Sequence, residues 1–170
     1  MVGGNPDLVV VGAGVAGVSI AYHASLKGMR VLIVEAAGMA SGASGACDGF
    51  VCMQTKVPGA YLQLARRSAR LLEDFCCSEG MERVLHSKGV IIIIRTPEEM
   101  DTMKQHLSSL AVHGVRAEIL DRQAVIAEEP FLKGGDFLAG SLTAGDFCVD
   151  PLSLVQGFML AARRAGAKAL

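Results

Sequence analysis

The 170-residue sequence lacks an excess of charge of either sign: 16 basic residues against 17 acidic ones leave a formal net charge of −1. Such a chain sets up no long-range field for phosphate backbones or anionic lipids, which argues against nucleic acid as a partner. It also lacks the residue spacings of a metal site. Cys47, Cys52, Cys76, Cys77 and Cys148 are odd in number and show neither a CxxC nor a CxxxH pattern, so they fit reduced, mostly packed thiols of a cytoplasmic protein. His23, His86, His106 and His113 include no i,i+4 pair; they are expected to be surface or strand residues, and no metal is expected. Long hydrophobic runs are missing too. Val90–Ile94 is far shorter than the about 20 residues needed to cross a bilayer, so it is expected as a buried strand and no integral membrane segment is expected. Residues 8–20 are apolar, but no cationic flank precedes them and they carry glycines at motif spacing, so a secretory signal is not expected. No internal repeat is visible. With 51% apolar residues, the chain can bury one real core.

What is present reads as alternating elements. Leu8–Val11 is a β-branched run leading into glycine, residues 14–27 are small and apolar at helical spacing, and residues 30–34 form a second continuous apolar strand of the kind found in parallel sheets. Residues 36–50, nearly uncharged and rich in Gly, Ala and Ser, are expected to be a loop. Residues 58–77 predict a long amphipathic helix, with Arg66, Arg67 and Arg70 on its solvated face. Strands at 83–86 and 89–94, joined only by Ser87-Lys88, predict an antiparallel hairpin. Thr96-Pro97-Glu98-Glu99 is a capping box for a helix to about Val112. A short strand is expected at 117–120, a short helix from Asp121, another strand at 137–143, and a helix from Asp150-Pro151 to about Arg164, closed by Gly166.

The chemistry-bearing signal is Gly12, Gly14 and Gly17 between the first strand and the first helix. Gly12 permits the sharp turn, Gly14 removes a side chain where a phosphate approaches the backbone, and Gly17 lets helix and strand lie close. The helix N-terminus then offers free N–H groups to a diphosphate. Glu35, at the end of the second strand, is positioned to accept from ribose hydroxyls and disfavours a 2′-phosphate. The bland alternative is a merely structural turn. FAD and NAD share this half-site, and residues 41–50 discriminate between them. An NAD fold continues with a crossover helix and a third parallel strand near residues 60–80, whereas here a loop with Ser41 and Ser44 follows, which suits the far side of a pyrophosphate or a ribityl chain. A flexible surface linker is the alternative for that loop.

Taken together, the GxGxxG set, Glu35, Ala43-Ser44-Gly45-Ala46 running to Gly49, Gln54-Thr55-Lys56-Val57-Pro58-Gly59 before the long helix, and Phe147-Cys148-Val149-Asp150-Pro151 resemble the D-amino-acid oxidase, glycine oxidase and sarcosine oxidase family of FAD enzymes. The resemblance covers essentially the whole chain. It implies an α/β fold in which a Rossmann-like FAD-binding βαβ domain (residues 1–81) is interleaved with part of an α+β substrate domain on an antiparallel or mixed sheet (82–147), with a helix returning the chain to the first domain (148–170). It implies FAD held by Gly12, Gly14, Val15, Ala16, Gly17, Glu35, Ala36, Ala43, Ser44, Gly45, Asp48, Gly49 and Phe50. It implies a small amine or amino-acid substrate whose Cα–H gives a hydride equivalent to flavin N5, leaving an imine for hydrolysis. An oligomer or partner subunit stays open.

Two departures matter. Ala36 stands where the family commonly has a basic residue. The further flavin-domain strand, the remaining substrate-domain strands, a second glycine-rich flavin contact and the groups that bind a substrate carboxylate are expected beyond Leu170, so the chain is read as an N-terminal half and no catalytic residue is assigned. Cys47 and Cys52 flank the loop and are read as packed or idle thiols. The rival readings are a non-catalytic dinucleotide-binding fragment and an NAD-dependent Rossmann enzyme.

Overall fold

Continuous β-branched runs bounded by glycine-containing turns make the first two strands, and cap-plus-proline signals start two of the helices. The computed structural model describes residues Asn5–Leu170. In chain order its elements begin with β1 (Leu8–Val11), α1 (Val15–Leu26), β2 (Val31–Val34), a four-residue α2 (Ala43–Ala46), β3 (Phe50–Val51) and α3 (Ala60–Ser78). A 3-10 turn at Glu82–Val84 leads to β4 (Leu85–His86), β5 (Val90–Ile94), α4 (Pro97–Ala111), β6 (Glu118–Asp121) and α5 (Arg122–Glu128). A second 3-10 turn at Pro130–Gly134 precedes β7 (Ala139–Thr143), β8 (Phe147–Val149), α6 (Pro151–Arg164) and β9 (Lys168–Ala169).

Packing divides the chain into two compact units: one holds the residues up to Gly49 with Phe75–Leu85 and Val149–Leu170, the other holds Phe50–Asp74 and His86–Cys148. The division read from sequence at residue 82 counts 50–74 with the N-terminal part. Packing groups that segment with 86–148, because Leu62 is buried in one cluster with Leu110 and Val115.

The first unit is a parallel sheet in the order β1-β2-β9. Leu8 to Val11 pair with Val31 to Val34, and Leu32 and Ile33 pair with Lys168 and Ala169. A further parallel strand, expected only beyond Leu170, is thus present within the chain as β9: the left-handed Gly166, at φ +102°, turns the end of α6 back to β2. Asp7 clamps the start of the ladder, accepting from the Arg30 backbone N–H at 2.9 Å and from its Nη2 at 2.6 Å. Helix α6 is started by Asp150, whose carboxylate accepts from Ser153 N at 2.6 Å, with Pro151 in its first turn. α6 packs on α1 through an aromatic cluster. Phe75 and Phe158 stack at 3.7 Å between ring centroids, and Tyr22 meets both edge-on at 5.2 and 5.8 Å.

The second unit is built on an antiparallel sheet in the order β5-β7-β6, with Val90 opposite Thr143, Ile94 opposite Ala139 and Glu118 opposite Leu142. The hairpin expected between 83–86 and 89–94 does not form. β4 has only two residues, whereas β7 offers β5 a five-residue ladder, and the longer ladder satisfies more backbone groups. The cap predicted at Thr96 is present, its Oγ1 accepting from Glu99 N at 3.2 Å, and Asp121, expected to begin a short helix, caps it by accepting from Ala124 N at 2.8 Å. Residues 60–78 are helical, which removes the third parallel strand that the NAD reading places near 60–80. No helix among the described residues is long and apolar enough to cross a membrane.

Removing one stacked ring tests the first unit's core. Phe158 is 2% exposed, so Phe158→Ala is expected to cost about 3–5 kcal/mol in urea unfolding. Leu160→Ala on the exposed face of the same helix should cost under about 0.5 kcal/mol. Equal losses for the two variants would contradict this packing.

Candidate functional site

The turn between β1 and α1 is held at both ends. Gly12 donates its N–H to Val34 O at 2.8 Å while adopting φ +101°, a left-handed backbone that glycine adopts without strain. A Cβ on Gly12 would meet nothing within 4 Å, so the turn faces open space. A Cβ on Gly17 would collide with the carbonyl oxygen of Gly12, and this close approach seats α1 against the turn. Gly14 is the N-cap of α1 in an extended conformation, and none of the helix's first-turn side chains is acidic. Val15 and Ala16 are exposed. The first-turn amides have no intrahelical acceptor, and together with the dipole they make this end attractive to an anion.

Two side chains reach into the turn. Ser44 Oγ accepts from Val15 N at 2.9 Å, and a Cβ on Gly14 would come within 3.0 Å of that oxygen. Glu35 Oε2 accepts from the N–H of buried Ala13 at 2.7 Å, while Oε1 accepts from Ala37 N at 2.8 Å and Gly38 N at 3.3 Å. The amides of Ala37, Ala13 and Gly38, in that order of effect, hold the Glu35 carboxyl below the usual glutamate range.

The loop after β2 is more ordered than its composition suggests. Ala40, at φ +58°, donates its N–H to Ala13 O at 3.1 Å, folding residues 36–40 back on the glycine turn. The stretch expected to be irregular then contains α2. Gly45 lies so near Ala40 O that a Cβ would not fit, and the same is true of Gly49 against Val149 O. Gly49 has φ +74° and accepts from Val149 N at 2.9 Å.

The first unit thus brings Gly12, Gly14, Val15, Ala16, Gly17, Glu35 and Ser44 together around one helix end. Ala36, Ala43, Gly45 and Asp48 lie on the following loop and are exposed, and Gly49 is buried. Phe50 belongs to the second unit, where it pairs with Cys148 and is half exposed. Ala13, Ala37 and Gly38 were missed by sequence reasoning, because they act through backbone amides that every residue type carries.

In the second unit an unforeseen polar network surrounds Asp146, which is 1% exposed. Its carboxylate accepts from Met53 N at 2.8 Å, Gln54 N at 3.4 Å and the Cys52 thiol at 3.1 Å. Gln54 Nε2 donates to Val90 O at 2.9 Å, Ser141 Oγ donates to Gln54 Oε1 at 2.8 Å, and His106 Nε2 lies 2.9 Å from Gln54 O. His106 is therefore anchored on α4 and is neither a strand residue nor a freely solvated one. Burial, then the neighbouring Asp146, pushes the Cys52 thiol up to about 11. No cluster of three metal-binding side chains occurs among the described residues.

Comparison with known proteins supplies the family. The model of the FAD dependent oxidoreductase family, DAO, matches residues 7–170. The chain belongs to this family. Among its relatives, glycine oxidase of Geobacillus kaustophilus is 32% identical over 168 residues, covering 95% of this chain and 44% of that protein. Mitochondrial dimethylglycine dehydrogenase of Rattus norvegicus is 29% identical over 162 residues, covering 94% of this chain and 19% of that protein. A component of the anaerobic glycerol-3-phosphate dehydrogenase of Escherichia coli is 26% identical over 161 residues, covering 95% of this chain and 29% of that protein. The crystal structure of Geobacillus kaustophilus glycine oxidase superposes with a TM-score of 0.85 at 28% identity, over 97% of this chain and 46% of that one. The chain therefore spans less than half the length of these relatives, and its Rossmann-like α/β fold is that of a family of FAD-dependent enzymes.

Two outcomes follow from the electrostatics. Exposed Cys47 and Cys77 should be alkylated rapidly at pH 8, and Cys52 at least about tenfold more slowly, since its raised pKa starves it of thiolate; equal rates read by mass spectrometry would refute this environment. Because the Glu35 pKa is depressed on folding, its contribution to stability is complete above the ordinary glutamate range and is lost as pH falls through the lower folded value. Glu35→Gln should therefore show a flatter acid limb of stability against pH than the parent, measured by urea midpoints.

Proposed function

We propose that the first unit holds the ADP half of FAD and that the protein it represents oxidises the CH–NH bond of an amino acid or secondary amine. The observation that carries the cofactor assignment is the exposed N-terminus of α1, open beside Gly12 and bordered by Ser44 and Glu35. The residues fit the group. Gly12, Gly14, Val15, Ala16 and Gly17 would present backbone to the diphosphate, and Glu35 would meet the ribose. Ala36 adds no cation for a 2′-phosphate. Ser44, with Ala43, Gly45, Asp48 and Gly49, would border the same cofactor on its loop side, and Phe50 follows them in sequence. When bound, the flavin accepts the hydride equivalent removed from the substrate carbon, and the protein's work is to bind, orient and exclude water.

In this reading the first unit is the flavin-binding domain and the second is part of the substrate domain. The amine class is supported by the names of two relatives, glycine oxidase and dimethylglycine dehydrogenase. The glycerol-3-phosphate dehydrogenase relative is the specific observation for a second reading, in which a CH–OH bond is oxidised. Near-zero net charge supports a small-molecule partner over nucleic acid. Free cysteines on the described surface suit a reducing compartment such as the cytoplasm.

The test has two stages. FAD or ADP titrated into the purified chain should bind saturably, and Gly14→Val should abolish binding by placing a side chain in the phosphate path and against Ser44 Oγ; undiminished affinity in that variant would overturn the site. Flavin-loaded protein mixed anaerobically with glycine, sarcosine, dimethylglycine or a D-amino acid should lose its flavin absorbance band. Bleaching by glycerol 3-phosphate alone would favour the second reading. Bound flavin that no substrate reduces would favour a non-catalytic dinucleotide-binding module.

A further inference from the structure

The second unit contains a cavity of about 300 Å³ that the flavin reading does not use. Its walls include Met53, Arg66 of α3, Arg116 before β6, and the turn Thr143–Asp146 after β7. Two arginines from separate segments therefore line one small space. Arg66 is held in place: Nη1 donates to the His113 carbonyl at 2.5 Å, and the guanidinium lies over Gly114, where a Cβ would come 3.6 Å from Nη1. Gly114 has φ +76°, so this turn both supplies the anchoring carbonyl and leaves room for the planar group. One contact orients the fork and leaves most of its five donors free. Among the described residues, no ion pair or hydrogen bond engages Arg116.

The second, independent sign is Thr143. It is 3% exposed, it lines the cavity, and its Oγ1 has no hydrogen-bond partner. A buried hydroxyl left unmet is costly, and native proteins seldom leave one so without a ligand or water to meet it. The one acid in the cavity wall is already engaged: Asp146 accepts from Met53 N, Gln54 N and the Cys52 thiol, so its oxygens are directed at the loop that begins at Cys52.

We infer that this cavity binds a small oxyanion, a carboxylate or a phosphate, between Arg66 and Arg116, with the Thr143 hydroxyl donating to it. The planar arginine fork matches two oxygens of either group. The solvated-face reading of Arg66 then holds only for Arg67 and Arg70, which lie outside the cavity.

The experiment is a titration of the full chain with inorganic phosphate and, separately, acetate at constant ionic strength, followed by the backbone amide signals of Gly114 and Gly145. These amides report the cavity itself and are remote in sequence from the glycine turn of α1, so loss of flavin binding would not imitate a failure here. Saturable shifts are expected. Arg116→Gln, at an exposed position that should leave folding intact, should weaken binding about tenfold, the loss of one charge-assisted contact. Thr143→Val should weaken it in the same direction, with an unchanged circular dichroism spectrum. Tighter binding of phosphate assigns a phosphate-bearing ligand, and tighter binding of acetate assigns a carboxylate. Linear, unsaturable shifts, or equal affinity in the parent and Arg116→Gln, would overturn the site and return both arginines to solvent.

Discussion

The carboxylate of Glu35 joins the glycine turn to the loop that follows β2. One oxygen meets the amide of buried Ala13, and the other meets the amides of Ala37 and Gly38. Without it the Ala13 donor would be orphaned inside the unit, and residues 36–40 would lose the tether that lets Ala40 reach Ala13 O. The position of Ser44 over Val15 N depends in turn on where that loop ends. This constrains the proposed ribose contact. A carboxylate offers about four acceptor sites, and three backbone bonds already draw on them. Glu35 would then act by sharing its remaining capacity, with its orientation set beforehand by amides.

How legible this was follows from the range of the interactions. The βαβ unit could be read because its determinants are local: a β-branched run, glycines at fixed offsets, an acid at a strand's end. The same is true of the helices starting at Pro97, Arg122 and Pro151, whose caps Thr96, Asp121 and Asp150 lie within three residues of the amides they meet. The hairpin failed for the complementary reason. Ser87-Lys88 is a short link, but the choice of partner for β5 was decided by β7, some fifty residues on. Likewise β9 has only two residues and no periodicity of its own; it is a strand because β2 offers it an edge.

The same reasoning separates the two units. In the first, the candidate site sits on backbone groups and side chains whose types are dictated by sterics, so glycines announce it. In the second, Asp146 and Cys52 lie 94 residues apart, and Gln54 ties Val90 and Ser141 through side-chain contacts at separations of 36 and 87 residues. No spacing rule encodes such a network. Gln54 and Asp146 are ordinary polar residues in sequence and become buried, hydrogen-bonded ones only after the sheet is assembled.

This asymmetry explains how one cofactor site can accompany more than one substrate chemistry. A diphosphate is recognised by a helix end and by missing side chains, features that vary little with the chemistry performed on the other side of the cofactor. Relatives named for glycine, dimethylglycine and glycerol 3-phosphate therefore match the same stretch of chain at similar identity. Their substrates all carry an anionic group that an arginine could meet, so cationic side chains alone do not separate them. What differs is the atom bonded to the carbon that is oxidised, nitrogen in one case and oxygen in the other. Discrimination between them requires a donor or acceptor placed at that atom, because a hydrogen-bonding site left unpaired by the wrong substrate is what makes rejection strong.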